Sequence, residues 1–180
     1  MSKKAKVSKL LVIDASIARS CGAPSATFPT SKNCRDFLNA VLTICHRMVL
    51  TDDIKEEWDK HQSIYAKKWR SSMVAKRKVE YRSDVTRNQM LRDRLDKVAE
   101  SDKPREAMWK DCHLLEAAIA TDQIVISLDE KARNPFDKAA KSIKELNEIM
   151  WVNPDKPEEN ALIWLENGAT KEKQRQLGIN

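Results

Sequence analysis

Lys9-Leu10-Leu11-Val12-Ile13-Asp14-Ala15-Ser16 puts four apolar residues in a row, two of them β-branched, and then stops on a carboxylate. A short run that is apolar at every position reads as a strand buried on both faces, the kind found in a parallel sheet covered by helices. In open α/β sheets, ligands and reacting groups collect at the carboxyl ends of the strands, so Asp14 is well placed for chemistry. On this stretch alone the plainer reading is that Asp14 caps the turn with Ser16. Three more runs have the same character. Met48-Val49-Leu50 ends in Thr51-Asp52-Asp53, Ile124-Val125-Ile126-Ser127-Leu128 ends in Asp129, and Ile149-Met150-Trp151-Val152 is closed by Asn153-Pro154.

Helical patterns separate these runs. Residues 33–46 carry Phe37, Leu38, Val41, Leu42 and Cys45 at helical spacing, with Thr30-Ser31 as the expected cap. A second helix is expected from Ile54 to at least Tyr65. A third starts near Pro104 and runs to about Ala120, with Met108, Cys112, Leu115 and Ile119 inward. Residues 134–147 and 158–167 read as two more, the last stopped by Gly168. Strand and helix in alternation give an α/β fold with a short parallel central sheet flanked by helices.

The 180 residues suit one domain, with residues 169–180 expected to form a loose polar tail. Three glycines in the whole chain argue against a turn-rich all-β fold. Cys21, Cys34, Cys45 and Cys112 have no C-x-x-C spacing and read as reduced, mostly buried thiols. No apolar run approaches the length of a membrane span. The basic start, Met1-Ser2-Lys3-Lys4-Ala5-Lys6, is followed by too short an apolar stretch for a signal peptide, so a cytoplasmic location is expected.

The net charge of +6 is unevenly placed: residues 66–110 hold 14 Lys/Arg against 7 Asp/Glu, and the remainder is nearly balanced. Residues 66–103 contain no Gly and no Pro, and are expected to form a basic helical insertion, one long helix or a helical pair. A charge run is usually a solvated surface. Here Tyr65, Trp69 and Tyr81 are interleaved with Lys67, Lys68, Arg70, Lys76, Arg77, Lys78 and Arg82, which gives a nucleic-acid-tracking surface equal weight.

Two acids thus end strands, Asp14 and Asp129, and two more, Glu57 and Asp111, border the inward stripes of helices. Right-handed parallel connections bring successive strand ends to one edge, where the four carboxylates could meet. Such a group repels itself unless a divalent cation sits within it, and hard oxygen donors without His or Cys select Mg²⁺ or Mn²⁺.

At this point the sequence resembles the PIN-domain family of metal-dependent nucleases. The matching pieces are Leu11-Val12-Ile13-Asp14, Met48-Val49-Leu50-Thr51 leading to Glu57-Trp58, Asp111-Cys112-His113-Leu114-Leu115-Glu116-Ala117-Ala118, and Ala120-Thr121-Asp122-Gln123-Ile124-Val125-Ile126-Ser127-Leu128-Asp129. The closing Ile149-Met150-Trp151-Val152-Asn153-Pro154 also looks family-like, and the likeness spans about residues 8–165, interrupted by the long basic segment. The resemblance implies a Mg²⁺- or Mn²⁺-dependent phosphodiesterase, a ribonuclease before a deoxyribonuclease. Asp14, Glu57, Asp111 and Asp129 match its acidic metal-binding set; Glu56 stands next to Glu57 as an alternative, and Ser127 matches its small hydroxyl position. Asp122 falls where the family is commonly acidic, in a supporting role. His113 follows the pattern as a structural residue. The implied partners are RNA and, for the toxin of a toxin–antitoxin pair, an antitoxin protein covering the cleft; a homodimer is a further expectation. Two readings compete with hydrolysis: a PIN-like module that binds nucleic acid without cutting it, and a basic helical assembly protein.

Overall fold

The computed structural model describes residues 7–179; the basic stretch Met1-Ser2-Lys3-Lys4-Ala5-Lys6 and the final Asn180 lie outside them. Among the described residues five strands form one sheet: β1 (Leu10–Ile13), β2 (Arg47–Leu50), β3 (Val79–Tyr81), β4 (Ile124–Ile126) and β5 (Met150–Val152), in the order β3-β2-β1-β4-β5. Neighbouring strands all pair in parallel, with Val12 opposite Val49 on one side and Val125 on the other. Leu11, Val12, Ile13, Val49, Val125 and Trp151 are fully buried, as expected of strands covered on both faces by helices. The chain leaves β1 towards β2 and β3 on one side, and later towards β4 and β5 on the other. The reversal falls between β1 and β4, and a crevice opens at the carboxyl ends of strands at such a point.

The helices are α1 (Ala15–Ser20), α2 (Pro29–Thr43), α3 (Asp52–His61), α4 (Ile64–Ala75), α5 (Gln89–Val98), α6 (Asp102–Ile119), α7 (Glu130–Ala140) and α8 (Ala161–Glu166). Several boundaries differ from the sequence expectations, each for a local reason. Pro29 occupies the first turn of α2, where its missing N–H is no loss, so that helix begins before Thr30. The helix expected through Tyr65 breaks at Gln62, and the Ser63 hydroxyl accepts from the Ala66 N–H to start α4. The Asp129 carboxylate accepts from the Ala132 N–H, so α7 starts at Glu130, ahead of Pro135.

The central segment departs most. It is not wholly helical: between α4 and α5 runs β3, an integral edge strand whose Val79, Glu80 and Tyr81 pair with Met48, Val49 and Leu50. The residues expected to be a loose tail are docked. Leu177 is buried, its N–H donates to Ile149 O, and Gln176 bridges Met150 in antiparallel sense. Cys21, Cys34 and Cys112 are buried free thiols, while Cys45 is exposed. Among the described residues no helix is long and apolar enough to cross a membrane.

Candidate active site

Asp14 leaves the end of β1, and its backbone N–H donates to Ile126 O of β4, which places it at the sheet's reversal point. Its side chain does not cap α1. Instead Asp14 Oδ2 accepts from Ser16 Oγ at 2.5 Å and from Ser127 Oγ at 2.7 Å. Ser127 Oγ in turn accepts from the Asp129 N–H at 3.0 Å, and Ser16 Oγ from the Leu128 N–H at 3.1 Å. Two hydroxyls thus stitch the ends of β1 and β4 together and fix one oxygen of Asp14. Asp129, as the cap of α7, has Oδ1 held by the Ala132 N–H at 3.0 Å.

Two helices bring the remaining acids. Trp58 on α3 is buried and donates its indole N–H to Ile13 O at 2.8 Å, locking α3 against the residue before Asp14. Glu57 then faces the crevice, with His61 one turn on at 3.5 Å, whereas Glu56 is exposed and paired with Lys60. That separates the two adjacent glutamates. Asp111 on α6 is 6% exposed. Burial pushes its carboxyl up to about 7, and the charges of Asp14 and Asp129 push the same way, outweighing the nearby Lys110 ammonium.

Asp14, Glu57, Asp111 and Asp129 therefore line one cleft, of about 60 Å³, together with Ser16, Arg19, His61, Lys110 and His113. Arg19, Lys110 and His61 were not anticipated. Lys110 is adjacent to Asp111 and Arg19 follows Ser16 at helical spacing, so the signal was present but indistinguishable from ordinary surface charge. The donor set is all hard oxygen and carries an excess of negative field, which is the chemistry a hard divalent cation fits. Its spacing is open: among the described residues no three His, Cys, Asp or Glu side chains form a group able to hold a metal ion as they stand. Asp122 is elsewhere. Its Oδ2 accepts from the Leu10 N–H at 2.7 Å, at the start of β1 and therefore at the opposite edge of the sheet from Asp14.

The basic set divides in two. Lys78 Nζ donates to the carbonyls of Val41, Leu42 and Ile44, satisfying the end of α2, so it is a structural cation. Arg82 is paired with Asp84 through two nitrogens and donates to Ala120 O. Ala120 is nine residues beyond Asp111, about 13 Å along a helical rise, so Arg82 serves a different place. Arg70 donates to Asp59 at 2.6 Å. Lys67, Lys68, Lys76 and Arg77 are exposed. Of the aromatics interleaved with them, Trp69 is 3% exposed, with its indole bonded to Leu38 O and its ring stacked on Trp58, so it belongs to the core. Tyr81 is 60% exposed.

Comparison with family models, with curated proteins and with solved structures finds no match.

Proposed function

We propose that this chain hydrolyses phosphodiester bonds in nucleic acid, RNA foremost, with Mg²⁺ or Mn²⁺ held by Asp14, Asp111 and Asp129 and approached by Glu57. The observation that carries the reading is Asp111: a buried carboxyl whose proton affinity is raised to about 7 by burial and by two neighbouring acids at the carboxyl edge of a parallel sheet. A cluster arranged to repel itself is better matched to a cation than to a proton, and perturbed acids gathered in a cleft are the usual mark of a working site.

A divalent cation, when bound, neutralises charge on the phosphate and lowers the pKa of water from about 15.7 towards neutrality. The chain's own residues do the rest. Ser16 and Ser127 leave Asp14 Oδ1 without a hydrogen bond among the described residues, ready to act as a donor oxygen. The first turn of α7 holds Asp129 Oδ1 through the Ala132 N–H, and Trp58 seats α3, which carries Glu57. Arg19 and Lys110 at the rim attract the phosphodiester and offset the field of the acids. The openness of the carboxylate group favours a second reading, a module that binds nucleic acid without cutting it. An antitoxin covering the cleft belongs to the first.

The test is cleavage of end-labelled single-stranded RNA and DNA with Mn²⁺, Mg²⁺ or EDTA, for wild type, Asp14→Asn and Asp129→Asn. Cation-dependent cutting that falls on the order of 100-fold or more in both variants is expected. Retention of intact RNA by the folded protein under every cation refutes hydrolysis and leaves the binding reading.

A further inference from the structure

On the other side of α3 from the acidic cleft lies a second hollow, of about 310 Å³, lined by Leu50, Lys55, Arg70, Ser71, Val74 and Tyr81. Leu50 and Tyr81 end β2 and β3, so the hollow opens at the same carboxyl edge as Asp14, one to two strand spacings away, or about 5–10 Å. Glu57 and Lys55, two residues apart, face the two hollows from opposite sides of one helix.

Its lining is unlike ordinary surface. Tyr81 and Val74 are large apolar groups left 60% and 48% exposed. Lys55 and Arg70 both pair with the single carboxylate of Asp59, so a positive charge is left over. Arg70 Nη1 is buried and has no hydrogen-bond partner among the described residues, so the guanidinium keeps unmet donor capacity. Lys67, exposed, stands one helical turn before Ser71 on the same stripe of α4. An exposed aromatic ring, a guanidinium with unmet donor capacity and surplus positive charge are what an unpaired base and its phosphate need.

We infer that this hollow is a subsite for one unpaired nucleotide of a single strand whose neighbouring phosphodiester lies in the acidic cleft. The base stacks on Tyr81, and the Arg70 guanidinium, which lines the hollow, turns to donate to a base or phosphate oxygen. The inference rests on the proposed function for the substrate class, and it selects single strands, because a base within a duplex offers no free face.

The experiment is fluorescence anisotropy of labelled ten-nucleotide single-stranded RNA and DNA, and of a hairpin duplex, against the whole chain in EDTA, so that no cleavage intervenes. Tyr81→Ala should weaken single-strand binding about tenfold and leave duplex binding unchanged, while Tyr81→Phe retains it. Arg70→Lys, which keeps the charge and loses the fork, should weaken it several-fold. Single-strand binding unchanged in Tyr81→Ala overturns the subsite, even if manganese-dependent cleavage is observed. Tyr81-dependent binding without cleavage in any cation sustains the subsite and overturns hydrolysis. Equal, Tyr81-dependent binding of a polyglutamate peptide overturns the nucleotide assignment.

Discussion

Replacing Asp111 by asparagine should make this protein more stable, and only above a definite pH. Burial and the charges of Asp14 and Asp129 raise the Asp111 carboxyl in the folded state from 3.8 to about 7. Between those values the unfolded chain has released the proton and the folded chain still holds it, so stability falls as pH rises through the window. The penalty is absent below about pH 4 and fully present above about pH 7. Each unit is worth about 1.4 kcal/mol, so the whole is about 4 kcal/mol. The amide in Asp111→Asn carries no charge and can donate to the neighbouring Asp129 carboxylate. The variant should therefore match wild type at pH 4 and exceed it by about 2–4 kcal/mol at pH 8, the lower figure allowing for relaxation around the ionised acid. Urea unfolding at both pH values, without divalent cation, measures this. A difference that is the same at pH 4 and pH 8 would refute an Asp111 destabilised by its fellow acids, and with it the main support for a cation-seeking cluster.

Two further outcomes follow from residues placed differently from expectation. Asp122→Ala should cost about 1–2 kcal/mol of stability through loss of the Leu10 N–H bond, yet leave cleavage per folded molecule unchanged, as urea titration and initial rates can establish. Leu177→Ala should destabilise the fold by about 2–5 kcal/mol, read from the urea midpoint; a change under about 0.5 kcal/mol would mean that the C-terminal segment is not docked.

Four of the five strands were legible because each is an apolar run bounded by polar or turn residues, and a strand buried on both faces has no other way to be written. Val79-Glu80-Tyr81 was not, because an edge strand of three residues is defined by its partner: pairing with Met48, Val49 and Leu50 supplies what its own composition does not announce. Trp69 was read as surface from its basic neighbours, although Ala66, Trp69 and Met73 form a buried helical stripe. Leu177 had no periodic companion, so nothing local marked it as core. At the site, strand ends and helix stripes named the four acids. The hydroxyl web of Ser16 and Ser127 and the Trp58 indole that seats Glu57 depend on approaches between distant segments. Charge alone could not separate Lys78, consumed by the end of α2, from Lys67 and Lys68 in solvent.

The docked C-terminal segment also bears on what the edges of the sheet present to their surroundings. A sheet invites foreign strands wherever its outermost backbone groups go unpaired. One flank here is the three-residue β3, too brief a ledge for sustained templating. The other is β5, whose Met150-Trp151-Val152 is apolar and whose outer side is met by Gln176, with Leu177 bonded to Ile149 beside it. Undocking that segment would bare a hydrophobic strand to its neighbours, so the damage would surface as insolubility as well as lost stability.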